Sequence, residues 1–76
     1  MLSLFKSAAE RELDSIIAEL QANLENNYKD TARAALEKLG AKIKELSDGG
    51  ILKPAQYRKY MGIYNEYSVK MTGYHH

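Results

Sequence analysis

The chain has 76 residues, 11 basic and 10 acidic side chains, no Cys, no Trp, one Pro and six Tyr. That length holds at most one domain, and the apolar content and near-neutral charge exclude a wholly disordered chain. The lack of Cys excludes a disulfide scaffold and a thiolate metal site. Folding buries roughly 60% of the unfolded surface of a chain this small. That gives roughly 110 kcal/mol of hydrophobic stabilisation, against roughly 110 kcal/mol for ordering the chain. With so thin a margin, self-association is an expectation from size alone.

The N-terminus, Met1-Leu2-Ser3-Leu4-Phe5-Lys6, carries too short an apolar run for a signal peptide. No stretch reaches the 18 apolar residues of a membrane span. The expectation is a cytoplasmic protein. The first helix predicted below is acidic on its polar face, unlike the Lys/Arg-rich face of a membrane-surface helix.

The first predicted helix spans about residues 3–26. Phe5, Ala9, Leu13, Ile16, Ile17, Leu20 and Leu24 fall within an arc of about 120°. Arg11, Asp14, Ser15, Ala18, Ala22 and Glu25 lie opposite. Ser3 or Ser7 caps its start, and Ser7 with Glu10 has the capping-box spacing.

The second predicted helix spans 28–47. Tyr28, Ala32, Ala35, Leu36, Leu39, Ile43 and Leu46 form its stripe, and Gly40 faces away from it. The join contains neither Gly nor Pro, so Asn26-Asn27 must make the turn. The apolar steps continue nearly in phase across it. One long helix with a short C-terminal helix, forming a coiled-coil dimer, is therefore the alternative. Successive four-residue steps between Leu20 and Ala32 depart from a heptad and favour the break.

The third predicted helix spans 54–71. Asp48-Gly49-Gly50 stops the second helix, Pro54 suits a first turn, and Leu52 with Tyr57 has the spacing of a hydrophobic staple. The expected fold is all-α, an antiparallel three-helix bundle in one domain spanning 1–76. Leu13, Ile17, Leu20, Leu36, Leu39 and Ile43 are its expected core. Leu39, Leu46, Asp48, Gly50, Ile51, Leu52 and Tyr57 resemble the short bihelical domains found at the C-termini of bacterial proteins. The likeness covers about a quarter of the chain, and Lys-Pro-Ala-Gln replaces the family's acidic cluster. It implies a helix–turn–helix shape and no function.

Charge and tyrosine are both uneven. Residues 1–25 carry two basic and five acidic groups (−3), residues 26–48 five and four (+1), and residues 49–76 four and one (+3). A basic third helix beside an acidic first helix is the plain structural expectation. Tyr57, Tyr60, Tyr64 and Tyr67 join Met61, Ile63, Ser68 and Met71 in an arc of about 160°. Such a face is wider and wetter than the Leu/Ile stripes, and Tyr and Met are favoured at interfaces. Tyr57, Tyr60, Met61, Tyr64, Tyr67 and Met71, with Arg58 and Lys59 at the rim, are the candidate partner-binding residues. The expected function is a non-catalytic protein–protein interaction or regulatory module that self-associates as a homodimer.

The alternative is a nucleic-acid-binding regulator. It would present Gln56, Tyr57, Arg58 and Lys59 at the start of a recognition helix. The Ser47–Lys53 turn is long for that motif, and a net charge of +1 attracts phosphate weakly. Catalysis finds no motif. The only His residues are His75 and His76, either native or left by a purification tag, and weak as a metal site. Glu10 and Asp14 share a helix side without a third ligand. No cofactor, metal or small-molecule substrate is expected.

Overall fold

The computed structural model describes residues 6–72. It contains three helices: α1 (Ala8–Glu25), α2 (Lys29–Asp48) and α3 (Pro54–Thr72). They form an all-α three-helix bundle. The first start is fixed by Ser7, whose hydroxyl accepts from the Glu10 N–H at 3.1 Å while its own N–H donates to the Glu10 carboxylate at 3.3 Å. This reciprocal pair satisfies two end groups that a helix start leaves open. Ser3 and Phe5 lie outside the described residues.

The chain breaks at Asn26–Tyr28, which rules out the single long helix. Asn27 takes φ 62°, and it is the only non-glycine in the left-handed region among the described residues. Asn tolerates this conformation better than most side chains. The turn also closes the end of α1. The N–H groups of Asn26, Asn27 and Tyr28 donate to the carbonyls of Ala22, Leu24 and Asn23 at 3.1, 3.1 and 2.8 Å. Asn26 Nδ2 adds a bond to the Ala22 carbonyl at 3.1 Å.

At the second turn Gly50 adopts φ 75°, and Ile51 and Leu52 both donate back to the Leu46 carbonyl at 2.9 and 3.2 Å. α3 then starts on a cap made by Gln56, whose side-chain oxygen accepts from the Lys53 N–H at 2.9 Å. Pro54 occupies the first helical position, where a missing N–H costs nothing.

The core is a continuous cluster of Leu13, Ile16, Leu20, Ala32, Ala35, Leu36, Leu39, Ile43, Leu46, Leu52, Tyr60 and Met71, with Ala9 at its edge. Ile17 and Leu24 are half-buried against it. Tyr28, expected in the second stripe, is 60% exposed. It precedes α2 with φ −87° and ψ 77°, so the helical wheel does not reach it.

α1 and α2 run antiparallel, with Lys42 reaching Glu12 at 3.1 Å and Lys38 reaching Glu19 at 3.7 Å. α3 returns parallel to α1. Tyr60 bonds Asp14 and Tyr67 bonds Gln21, each pair 46 residues apart. The α3 backbone lies closer to α2 than to α1, and long side chains bridge the remaining gap. No helix among the described residues is long and apolar enough to cross a membrane.

Candidate functional site

The eight sequence-predicted residues of α3 do not form one surface. Tyr60 and Met71 sit at the centre of the arc and are buried in the chain's own core. Against expectation they are core residues and not partner contacts. A wheel gives an arc's width, but not which part of it the bundle covers. The arc's two edges remain half-open. Tyr57, Met61 and Tyr64 face α2, and Ile63 and Tyr67 face α1. Arg58 and Lys59 are exposed. At 100° apart they flank opposite sides of the helix.

Tyr60 is held by a polar chain. Its hydroxyl donates to Asp14 Oδ1 at 2.9 Å, and Lys6 Nζ donates to Asp14 Oδ2 at 2.5 Å. Burial raises the Tyr60 pKa well above its ordinary value, and the hydrogen bond to Asp14 raises it further. For Asp14, partial burial pushes upward, but the bonds from Lys6 and Tyr60 outweigh it and hold the carboxyl below its usual range. The donating groups favour the charged form. The wheel sets Asp14 on the solvent side of α1; instead it ties α1 to α3. This cluster fixes the fold rather than offering a site, since both carboxylate oxygens are occupied.

The more open feature is the α2–α3 groove, about 570 Å³ in volume. Its α3 wall is Tyr57, Met61 and Tyr64, one helical face at steps of four and three. Its α2 wall includes Glu37, Gly40, Ala41 and Lys44. Gly40 explains the groove's shape. A Cβ there would stand 2.8 Å from Tyr64 Cε1, so the bare glycine lets the Tyr64 ring lie against the α2 backbone. Lys44 is neutralised by Asp48 at 2.9 Å, and that contact raises the Lys44 pKa. The walls offer ring faces, a thioether and tyrosine hydroxyls, a lining suited to holding part of another chain. The α2 wall is not among the sequence-predicted residues. A glycine inside a helix, off the apolar stripe, is its one visible sign.

A second groove of about 490 Å³ lies between α1 and α3, lined by Ile17, Ile63, Glu66, Tyr67 and Lys70. Here the aromatic face is already engaged. Lys70 Nζ lies 5.3 Å from the Tyr67 ring centre. Such a contact uses the ring quadrupole within the chain.

The charges distribute differently from the expectation of a basic α3 beside an acidic α1. The α1 carboxylates Glu12 and Glu19 pair with α2 lysines, and Asp14 with Lys6. Among the described residues, Lys53, Arg58, Lys59 and Lys70 form no ion pair. α2 and α3 lie alongside each other from Asp48 and Tyr57 to Leu36 and Met71. No group of three or more His, Asp or Glu among the described residues is placed to hold a metal ion. His75 and His76 lie outside those residues. No protein-family model, curated protein or solved structure matches the chain.

Proposed function

We propose that the chain is a small, non-catalytic protein–protein interaction module that self-associates, and that α3 supplies the contact through the α2–α3 groove. One observation carries this reading: Tyr57, Met61 and Tyr64 form an apolar edge that the bundle covers only in part. Tyr57 is 39% exposed, and Met61 and Tyr64 are half-buried. Large amphipathic rings left half-open at the margin of a small core lose that remaining surface to water most readily by docking another chain. The α1–α2 pair, in contrast, closes on Leu13, Leu20, Leu39 and Ile43, which are wholly enclosed.

Light scattering across a concentration series tests the proposal. The native chain is expected to double its mass of 8.6 kDa in the micromolar range. Met61→Glu, with unchanged helicity, is expected to remain a monomer. A native chain that stays monomeric up to about 1 mM, where binding is worth only about 4 kcal/mol, contradicts self-association.

A further inference from the structure

The charges around the groove define an occupant. Arg58 and Glu37 are both exposed, and neither forms an ion pair among the described residues. They stand towards opposite ends of one face. Arg58 precedes Met61 by three residues and so shares its side of α3. Glu37 lines the groove beside Tyr64 and Gly40, beyond Met61 in the other direction. Lys44, near the middle, is already neutralised by Asp48.

We infer that the occupant of the α2–α3 groove is a second copy of this chain. Its α3 lies antiparallel on the same face, with a two-fold axis at Met61, so that Arg58 of each copy meets Glu37 of the other. This rests on the interaction reading above and adds the partner's identity and register. The geometry follows from helix dimensions. Arg58 and Tyr64 are each three residues from Met61, about 4.5 Å along the axis. A two-fold through Met61 therefore sets Arg58 level with Tyr64 of the other copy. Helical side chains lean towards their own N-terminus. The Arg58 guanidinium therefore reaches past Tyr64, towards the level of Glu37.

Two such pairs form at once, because a two-fold interface uses the same patch on both copies. A parallel arrangement of the same faces places Arg58 against Arg58 and Glu37 against Glu37, which like-charge repulsion disfavours. The centre of the antiparallel arrangement is Met61 against Met61, flanked by Tyr57 and Tyr64 from both chains. A core of rings and thioethers with an Arg at its rim has the composition of a protein interface.

The test is a charge swap. Arg58→Glu and Glu37→Arg replace exposed side chains, and circular dichroism checks that helicity is kept. Each variant alone brings like charges together twice, and its dimerisation is expected to weaken on the order of tenfold or more. In an equimolar mixture, a dimer of one Arg58→Glu chain and one Glu37→Arg chain has opposite charges at both contacts. The mixture is expected to return to the native dimer mass.

A second measurement does not depend on charge. The chain has no Cys, so a single Met61→Cys change places its only thiols at the axis. It is expected to form an inter-chain disulfide under mild oxidation. Val69→Cys, at a position 71% exposed on another side of α3, is expected not to do so. If the native chain dimerises but the mixture stays monomeric and Met61→Cys does not cross-link, this register is overturned while self-association stands. If the native chain is monomeric, both fall. If the native chain instead binds a labelled DNA duplex through Arg58 and remains monomeric, a nucleic acid takes the place of the second copy and the inference is overturned.

Discussion

The α1–α2 pair and α3 solve the same burial problem with different side chains. α1 and α2 meet through Leu, Ile and Ala, which pack fully: Leu13, Leu20, Leu39 and Ile43 are wholly enclosed. Their surface carboxylates and lysines pair across the interface. α3 contributes only Tyr60 and Met71 to the enclosed core, and Met61, Ile63, Tyr64 and Tyr67 sit at its margins. None of its cations is ion-paired among the described residues. Small aliphatic side chains at close helix spacing finish an interface within one molecule. Large amphipathic rings at wider spacing leave edges that a second molecule can complete.

The contrast is most severely strained by removing packing from the first pair. Leu39→Ala should cost about 3 kcal/mol, within the usual range for an enclosed leucine. In a chain this small, urea or thermal unfolding should show much or all of the native state lost. The same truncation at half-open Met61 should cost under about 1 kcal/mol while weakening self-association. If the two changes destabilise the monomer equally, the two regions do not differ as described.

The polar tie between them comes next. Tyr60→Phe removes the hydroxyl donor to Asp14 and should cost on the order of 1 kcal/mol. It should also flatten the acid dependence of stability. The Asp14 pKa is lowered in the folded chain, so its contribution is present above the unfolded carboxylate value near 3.8. That contribution is lost as pH falls through the lower folded value. Unfolding curves between about pH 5 and pH 2 should separate less for the variant than for the native chain. An unchanged acid limb would mean that Tyr60 does not help hold Asp14 ionised.

Smaller effects sharpen the picture at the margins. Ser7→Ala breaks the capping box and should cost about 1 kcal/mol or less, read from thermal unfolding. Gly40→Ala should alter monomer stability least. About 1 kcal/mol of helix propensity is gained while the Tyr64 ring must move from a contact of 2.8 Å. Ring resonances of Tyr64 should shift by NMR, and dimerisation should weaken because the groove wall has changed.

Much of this was legible in the sequence because local chemistry determined it. Ser7 with Glu10, Asn26-Asn27, the two glycines after Asp48 and Pro54 set the three helices within a few residues, and the Leu/Ile stripes named most of the core. The failures share a cause. A helical wheel built on apolar residues finds one buried face, but a helix in a three-helix bundle touches two neighbours. Asp14 therefore reads as solvent-facing, although it meets Tyr60, and Gln21, off the apolar stripe, meets Tyr67. The charge asymmetry between the ends of the chain was visible, but its pairing was not. Lys38 and Lys42 reach Glu19 and Glu12 only once α2 folds back on α1. Tyr60 was grouped with its neighbours because sequence gives the arc and only packing gives its centre. The second groove wall required two helices to be placed side by side.

The central claim is that the edge of α3 towards α2 is the unfinished surface of the molecule. Amide chemical shifts of the native chain between about 1 mM and 20 μM, a span of about 2 kcal/mol in binding free energy, test it most directly. The expected result is concentration-dependent shifts confined to residues 37–44 and 57–68, with α1 unmoved. Shifts centred on α1, or none across that range in a chain that light scattering finds monomeric, would contradict it.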